Sequence, residues 1–541
     1  MTPGLQEYVL DGEEGTALSG ALAPAFSVVE DRGTPAVRRL TWLDTFDWRL
    51  YRAGLVLAHE QAGRAGRLLL TAADGTPLAE QPAPAAQPRR PSLNLPAGPV
   101  WDRIAALVSP RALLPIARAV STVSVTRLLN ADGKMVARLL TDTARVTDTA
   151  RVTDTARVTG DTCEVDLPVR LAVAEVRGYP GQARRAARLI AEAPGVSAAT
   201  QSAFAAALQA LHRRPGDYSG AVDAEITAEM PAPVAVATLL LRLLDTLEQN
   251  TDGVLRDIDT EFLHDLRVSV RRTRSAIKLL GDVLPGDLAD QYAAEFKWLG
   301  DLTTPTRDLD VYLLGFDSMA ASLLAAKPAD LEPFRAFLVR RRAREFRRLA
   351  VAIRSPRFRT VTEHWRKALV EVRDARRPRS PRNRPPTAAD LAIGRTERAY
   401  RRIITQGRAI DQDSAPESLH DLRKRGKELR YMLEFFAPLH DPVAYRKVIS
   451  DLKQLQDVLG EFQDSEVQRE EIHALADAIL AERAAPAATL LAMGELAAHL
   501  AVSQAEARAD FSRRFSSFAG PASLQRFNTL LGVGRGERGD R

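Results

Sequence analysis

The chain has 541 residues, more than one hydrophobic core usually supports, so we expect two or more domains. Its 75 basic and 69 acidic residues leave a net charge of +6, so local clusters of arginine are more informative than the total. A single cysteine, Cys163, excludes an intramolecular disulfide, and the sequence shows neither a signal peptide nor an apolar run of about 18 residues, so we expect a cytoplasmic protein without a membrane span.

Residues 1–218 predict a β-rich domain. Short runs of alternating apolar and polar residues are separated by turn signals such as Asp74-Gly75 and Asp132-Gly133. Gly181 to Ala193 has helical spacing, and the prolines between Gln81 and Pro99 predict a loop. We therefore expect an antiparallel meander or barrel. The predicted strands lie within Arg38 to Leu43, Leu55 to Glu60, Arg67 to Thr71, Val120 to Leu129 and Met135 to Thr141.

The hexapeptide TDTARV is repeated between Thr141 and Val158. Because its length is even, each unit keeps the same residues on the same face of a strand. The simpler interpretation is a duplicated hairpin segment without a function of its own. The alternative is a metal ladder of Asp142, Asp148 and Asp154, but one residue type at long intervals does not define a coordination shell.

The segment Leu40 to Glu60, LTWLDTFDWRLYRAGLVLAHE, resembles the DTxDxxLxxxGxxLR segment of the CYTH superfamily, the triphosphate tunnel enzymes. Arg127 to Asp142 and Val173 to Ala193 are similar to later parts of the same family. The resemblance implies an antiparallel barrel around a tunnel. In that tunnel carboxylates hold a divalent metal, and lysines and arginines hold triphosphate.

The catalytic residues of that family are largely missing from this chain. The stretch that matches the family's ExExK signature, Gln6 to Leu10, keeps Glu7 and lacks the lysine, and the late strand keeps only Glu175. Metal-assisted hydrolysis of a phosphoanhydride needs several oxygen ligands around the ion. We therefore expect a divergent CYTH-like domain with no catalytic residue, metal or other cofactor. A CYTH-type triphosphatase is the alternative hypothesis.

Residues 225–518 predict a helical domain, which makes the fold class α+β. Prolines in the basic segment 376–386 exclude it from a helix interior, so we interpret it as a linker between halves at about 230–374 and 387–518. Residues 519–541 are expected to form a flexible tail. The predicted helices are Val234 to Glu248, His264 to Leu284, Leu288 to Leu314, Leu331 to Ile353, Ala388 to Gly407, Leu419 to Phe436, Pro442 to Leu475 and Pro486 to Phe515.

The two halves share a duplicated helix. Leu263 to Leu280, LHDLRVSVRRTRSAIKLL, recurs as Leu419 to Phe436, LHDLRKRGKELRYMLEFF, at an offset of 156 residues (420 − 264). In each copy apolar residues spaced by three and four form a core seam, and a second stripe about 100° around the helix is basic. This basic stripe consists of His264, Arg267, Arg271, Arg274 and Lys278 in the first copy and His420, Arg423, Lys427 and Arg430 in the second.

The basic stripe is suited to an extended polyanion. It presents donors along roughly 20 Å of helix, and like charges at this spacing destabilise a helix unless an anion neutralises them. Arginine offers forked donors to phosphate oxygens, and lysine offers a point charge. The alternative is a solvated basic face paired with acidic residues of neighbouring helices. A second duplicated set is expected to orient the arginines through ion pairs, namely Asp301, Asp308, Asp310, Asp457, Asp464 and Glu466.

His264 and His420 lie near the predicted starts of their helices. A neutral imidazole at that position can donate one hydrogen bond to a phosphate while its other nitrogen is held locally. A packed structural histidine is the alternative. Metal ligation is poorly supported, because no cysteine or second histidine lies at ligand spacing.

The duplicated motifs HDLRVSVRRTR and HDLRKRGKELR, together with LGDLTTPTRDLDV from Leu299 to Val311, resemble the CHAD family, the conserved histidine α-helical domain. The resemblance implies two four-helix bundles related by a pseudo-two-fold axis, with a basic central surface that binds inorganic polyphosphate. It nominates the nine residues of the basic stripe. Secondary basic candidates are Arg272, Lys424, Arg344, Arg348, Arg398 and Arg402.

We therefore expect a non-enzymatic polyphosphate-binding protein of the bacterial cytoplasm. Association with polyphosphate granules and their proteins follows from the CHAD resemblance alone, and no membrane partner is expected. Nucleic-acid binding through the same basic surface is a further hypothesis. Against it, the stripe has no interleaved aromatic residues on which bases could stack.

Overall fold

The computed structural model describes residues 6–10, 15–31, 35–84, 95–148, 164–375 and 385–532. The chain forms two compact units, Met1–Gly220 with Arg256–Glu261 and Ala221–Leu255 with Phe262–Arg541. Several sequence predictions fall outside the described residues. They concern the TDTARV repeat beyond Asp148, including Asp154, and also Cys163, most of the basic linker and the last nine residues.

The first unit is an antiparallel sheet with short helices, which confirms the predicted fold class. Its strand order is β11-β1-β10-β8-β7-β3-β4-β5-β6, with β2 paired to β7 and β9 to β8. The strands are β1 (Glu7–Leu10), β2 (Ser27–Glu30), β3 (Ala36–Asp44), β4 (Leu55–Ala62), β5 (Ala65–Ala72), β6 (Pro77–Ala83), β7 (Leu114–Leu129), β8 (Met135–Asp148), β9 (Glu164–Asp166), β10 (Val169–Glu175) and β11 (Val196–Ala198). The helices are α1 (Gly15–Leu22), α2 (Arg49–Arg52), α3 (Pro99–Val108), α4 (Pro180–Ala191) and α5 (Ala203–Ala210).

Alternation along the strands gives this sheet one apolar face and a second face, called the charged face, that carries charged residues beside a separate apolar core with Trp42, Ala117 and Val146. Leu171 and Val173 of β10 pack in a core with Ala186 and Ile190 of α4. Because successive side chains of a strand point to opposite faces, Arg170 lies on the other side. The charged face is the surface on which a CYTH-like site would have to be built.

The loop predicted from Gln81 to Pro99 is shorter than expected, because β6 extends to Ala83 and α3 begins at Pro99. The Gln81 side chain explains part of the difference. Its Oε1 accepts hydrogen bonds from the backbone N–H groups of Val100 at 2.9 Å and Trp101 at 3.3 Å, which stabilises the start of α3.

The second unit is helical, as predicted, and each half of its described part contains five α-helices, one more than expected. The first half comprises α6 (Ala232–Leu255), α7 (Thr260–Leu280), α8 (Leu288–Ala321), α9 (Glu332–Ile353) and α10 (Pro356–Asp374). The second half comprises α11 (Ala388–Arg408), α12 (Pro416–Phe435), α13 (Pro442–Ala481), α14 (Ala487–Phe518) and α15 (Pro521–Leu530).

Two predicted boundaries are wrong. The helix expected to run to Leu284 ends at Leu280 and is followed by a 3₁₀ helix, Gly281–Val283, which stops there because the proline after Leu284 favours an extended conformation for Leu284, with ψ 149°. The flexible tail expected from residue 519 contains α15 instead. This helix forms because Phe527 and Leu530 are buried in the core of the second half, where the Phe527 ring stacks on Tyr400 with centroids 3.8 Å apart.

The duplication extends to the three-dimensional structure. The offset of 156 residues takes the start of α6 to the start of α11 (388 − 232) and the start of α7 to that of α12 (416 − 260). A shared core joins α8 and α9 of the first half to α13 and α14 of the second. In it the Tyr312 hydroxyl donates to the carbonyl oxygen of Gln468 at 3.3 Å. Since these two positions are themselves 156 apart, the pseudo-two-fold axis passes close to this contact.

Candidate polyanion-binding surface

Helices α7 and α12 face each other through two reciprocal ion pairs. Arg272 of α7 contacts Glu434 of α12 at 3.0 Å, and Lys278 of α7 contacts Glu428 of α12 at 2.8 Å. Positions 272 and 428 are related by the offset of 156, as are 278 and 434, so each pair is the image of the other. The pseudo-two-fold axis therefore brings the two copies of the basic stripe together. We call the area where they meet the central surface.

Arg271 and Lys427 occupy equivalent positions in the two copies and lie close together on the central surface. Burial, followed by the positive charges of Arg423 and Arg271, lowers the pKa of Lys427 to about 8, although Asp464 acts in the opposite direction. The acidic residues nearby therefore do not neutralise the positive potential at this point. Such a potential favours a bound anion.

The first copy of the stripe is the more open one. Arg267 donates to the carbonyl oxygen of Gly300 at 3.2 Å and to the hydroxyl of Thr304, and burial lowers its pKa despite the opposing effect of Asp308. Arg274 lies against Gly300, where a Cβ atom would come within 2.7 Å of its guanidinium. Across the described ranges, neither Arg271 nor Arg274 has a hydrogen-bond or ion-pair partner. Both guanidiniums can therefore bind a ligand.

The second copy is mostly paired with acidic residues. Arg423 contacts Asp464 at 2.8 Å, and Arg430 contacts Glu434 at 2.6 Å and the side-chain oxygen of Gln456 at 3.4 Å. Lys427 has no such partner in the part of the chain that the structure describes. Here the alternative interpretation, a basic face paired with acidic neighbours, applies to two of the three cations.

The two histidines occupy the fifth positions of their helices. Nδ1 of His420 donates to the side-chain oxygen of Gln463 on α13, a residue only 9% exposed. This bond holds the ring in one orientation, as expected of a packed histidine, and leaves Nε2 to interact elsewhere. His264 has the equivalent position on α7 and is half-buried.

The cations of the first copy line an open cavity of about 700 Å³ beside α7, which we call the α7 groove. Arg271, Arg274 and Lys278 form one side of it, and Lys297 of α8 contributes a further cation. Asp282, Asp287 and Asp290 also line it. The groove is therefore basic on its α7 side and acidic where the three aspartates lie.

The secondary candidates are spread over several helices. Arg272 is paired with Glu434, and Lys424 contacts Asp421 at 3.1 Å on the exposed side of α12. Arg344 and Arg348 line a cavity of about 230 Å³ on α9, where Arg348 also contacts Glu345 at 3.0 Å. Arg398 and Arg402 line a cavity of about 790 Å³ on α11, which we call the α11 groove.

The duplicated acidic set is divided in its contacts. Asp464 pairs with a stripe residue, Arg423, whereas Asp310 pairs with Arg342 of α9 at 2.8 Å. Asp301 contacts Lys297 of its own helix at 2.6 Å. The predicted role of orienting the basic stripe therefore fits Asp464. It also fits Asp308, which acts electrostatically on Arg267.

Sequence reasoning missed Glu428 and Glu434, although these residues determine how α7 docks on α12. A signal for them was present in the alignment of the two copies. At the offset of 156, Arg272 aligns with Glu428 and Lys278 aligns with Glu434. A reversal of charge between equivalent positions indicates that the two copies pair with each other.

The DTxD segment of the first unit is structural. The Asp44 carboxylate is only 2% exposed and accepts hydrogen bonds from the backbone N–H groups of Thr45, Leu50 and Tyr51 at 2.7 to 2.9 Å. Burial raises the pKa of Asp44 to about 6, against the effect of these hydrogen bonds. The side chain is therefore used to hold the turn into α2.

Carboxylates on the charged face of the sheet interact mainly with arginines. Glu7 contacts Arg170 at 2.7 Å, and Glu60 contacts Arg67 at 2.8 Å and Arg38 at 3.8 Å. Asp142, from the suggested metal ladder, accepts a hydrogen bond from Ser121 at 2.6 Å, and the side chain of Asp148 is not described. Within the described ranges no group of three or more histidine, cysteine, aspartate or glutamate side chains is arranged to hold a metal ion.

Comparison with known proteins identifies the helical unit. Residues 238–473 match the family model of the CHAD domain, which confirms that recognition. An uncharacterized protein of Mycobacterium tuberculosis is 26% identical over 239 residues, which are 43% of this chain and 44% of that protein. The match thus spans less than half the length of this curated relative.

Two solved structures are similar to parts of the chain. The CHAD domain of Ricinus communis has a TM-score of 0.41 and 23% identity, covering 58% of this chain and 96% of that one. A Hippeastrum protein, described as an adenylyl cyclase with a dominant triphosphatase activity, has a TM-score of 0.23 and 12% identity, covering 40% and 98%. None of the described helices is sufficiently long and apolar to cross a membrane.

Proposed function

We propose that this chain binds inorganic polyphosphate through its CHAD domain, on the central surface formed by α7 and α12. The observation that carries the proposal is the set of three cations, Arg271, Arg274 and Lys427, that have no partner among the described residues of this surface. The resemblance to the CHAD family implies the same ligand. In the cell, we propose that the protein associates with polyphosphate granules in a bacterial cytoplasm. This part of the proposal depends on that resemblance alone.

The geometry favours a linear ligand over a compact one. The reciprocal pairs Arg272–Glu434 and Lys278–Glu428 hold the two stripes against each other, so a chain that crosses the axis contacts cations of both copies. A polyanion with closely spaced charges binds repeated cations and releases its counterions, as nucleic-acid backbones do. Binding should therefore be tight at low salt and weaken steeply as salt increases.

The test is a variant in which Arg271, Arg274 and Lys427 are all replaced by alanine. These side chains are partly exposed and unpaired, so the fold should tolerate their loss, whereas each removes a charge-assisted contact with phosphate. We expect the affinity for long-chain polyphosphate to fall roughly a hundredfold at constant salt in an equilibrium titration. A matched variant, Arg184→Ala with Arg185→Ala and Arg188→Ala on α4, removes three exposed charges in the other unit and should bind like the parent.

Two outcomes would contradict the proposal. The triple variant could bind polyphosphate as tightly as the parent, in which case the central surface is not the site. Alternatively, RNA could displace polyphosphate at equal phosphate concentration, which would favour nucleic-acid binding. In cells, the proposal predicts that the parent lies on polyphosphate granules and that the triple variant does not.

A further inference from the structure

A second basic cavity lies beside the central surface. The α11 groove has a volume of about 790 Å³ and is lined by four arginines, Arg398, Arg401 and Arg402 of α11 and Arg425 of α12. Arg401 is paired with Glu397 of its own helix. Arg398 and Arg402 are exposed, and no hydrogen-bond or ion-pair partner is found for them in the described part of the chain. Like charges four residues apart destabilise a helix, so a ligand anion would stabilise this one.

One carboxylate connects this groove to the α7 groove. Glu428 contacts Lys278 at 2.8 Å with one oxygen and Arg425 at 2.9 Å with the other. Lys278 lines the α7 groove, and Arg425 lines the α11 groove. Glu428 itself lines neither cavity, but it links one lining residue of each.

A second contact brings α11 itself to the edge of the α7 groove. Arg395 of α11 is paired with Asp282, which lines that groove. Arg395 lies about one turn before Arg398 and about two turns before Arg402 on the same helix. The basic residues of α11 thus begin where the α7 groove ends.

The α11 groove is only partly a feature of the repeat, because Arg398 corresponds to Arg242 whereas the other two arginines of α11 that line the groove have no basic counterpart. At the offset of 156, Arg401 corresponds to Asp245 and Arg402 to Thr246. In the first half Asp245 is paired with Arg366 of α10 at 2.7 Å, and Thr246 is only 4% exposed. The packing of the repeat therefore does not require arginines at these positions.

We propose that the α7 groove and the α11 groove form one continuous track for long polyphosphate, with Glu428 at the crossing. The inference rests on the proposed function and adds to it a basis for chain-length preference. A short chain fills only the central surface. A longer chain extends over Glu428, where Lys278 and Arg425 offset the negative charge of the carboxylate, and reaches Arg398 and Arg402.

The experiment uses the full-length variant Arg398→Ala with Arg402→Ala. We expect its affinity for long-chain polyphosphate to fall roughly tenfold, the effect of two exposed ion pairs. The slope of log affinity against log salt should decrease by about 1.4, since each lost phosphate contact on a single strand removes about 0.7. The affinity for a short polyphosphate, whose extended length does not exceed that of the stripe on α7, should not change.

The controls separate this inference from the proposed function. Arg184→Ala with Arg188→Ala makes the same change of net charge, and an equal loss in that variant would show a general charge effect and overturn the track. If Arg398→Ala with Arg402→Ala binds like the parent while the triple variant of the central surface loses binding, the track is wrong and the proposed function stands. If the triple variant also binds normally, the proposed function itself is wrong.

Discussion

Lys427 is the residue whose charge state is most open to test. Its pKa of about 8 results from burial and from Arg423 and Arg271 nearby. A bound polyanion favours the charged amine and raises this pKa, so binding takes up a proton once the pH exceeds about 8. We expect the affinity for polyphosphate to be level below pH 8 and to fall by up to about tenfold per pH unit above it, as measured by titration calorimetry.

The conservative variant Lys427→Arg is the control for this pH dependence. An arginine remains charged throughout the range, so the decrease above pH 8 should disappear. An unchanged pH profile in this variant would assign the titration to another group.

Titration of Lys427 does not itself destabilise the folded state at high pH. The folded pKa of Lys427, about 8, lies below its ordinary value of 10.5, so between these values the folded state binds fewer protons than the unfolded state. Stability from this group therefore rises with pH across that window, in the direction opposite to binding.

Spacing along one helix predicted which residues belong to the basic stripe, but it could not predict which of them remain unpaired. Arg271 and Arg274 have no described partner, whereas Arg423 and Arg430 are held by Asp464 and Glu434. Asp464 is 41 residues from Arg423 along the chain, so their contact depends on how α12 packs on α13.

At the scale of elements, the docking of α7 on α12 depends on a pair of reciprocal contacts that differ in burial. The side chains of Arg272 and Glu434 are 16% and 15% exposed, whereas Lys278 is 69% exposed beside Glu428. Ion pairs in water are weak because of screening and side-chain entropy, and partial burial strengthens them. The two pairs are therefore not equivalent in energy, although they are equivalent in position.

A double-mutant cycle tests this difference. We expect a coupling of about 1–2 kcal/mol between Arg272 and Glu434 and less than about 0.5 kcal/mol between Lys278 and Glu428, measured by urea unfolding of alanine variants. The symmetry-related pair is the matched control. Equal couplings in both cycles would mean that burial does not distinguish the two contacts.

Most helices of the second unit were predictable, because their apolar residues repeat with helical spacing over long segments. The helices that were missed, α10 and α15, depend more on their partners. Trp365 of α10 is fully buried and packs against Phe296 of α8, and Phe527 of α15 stacks on Tyr400 of α11. With 10 residues, α15 is too short to be stable by itself and its sequence carries a weak signal, whereas α10 has 19 residues and length does not explain why it was missed.

At the scale of the whole molecule, the two units have different relations to phosphate chemistry. The carboxylates Glu7 and Glu60 on the charged face of the sheet are occupied by arginines. We expect the full-length protein to release no phosphate from tripolyphosphate in the presence of Mg²⁺ or Mn²⁺, because ion-paired carboxylates are poor ligands for these ions. The assay is phosphate release over time, with Glu7→Gln as the comparison.

Measurable phosphate release by the parent that Glu7→Gln abolishes would restore the triphosphatase hypothesis. Release that persists in Glu7→Gln would place the activity elsewhere and would equally contradict the expectation. The polyphosphate binding proposed for the helical unit is independent of either result.

The sequence by itself determined the duplication, the helical character of both halves and the faces of α7 and α12 that carry apolar or basic residues, because these properties depend on local spacing. Only the tertiary structure decided which cations remain available to a ligand. Lys278 and Glu428 are 150 residues apart in the chain, so their contact exists only after the two halves pack around their pseudo-two-fold axis. Pairing of charges is a property of that packing, which local spacing does not specify.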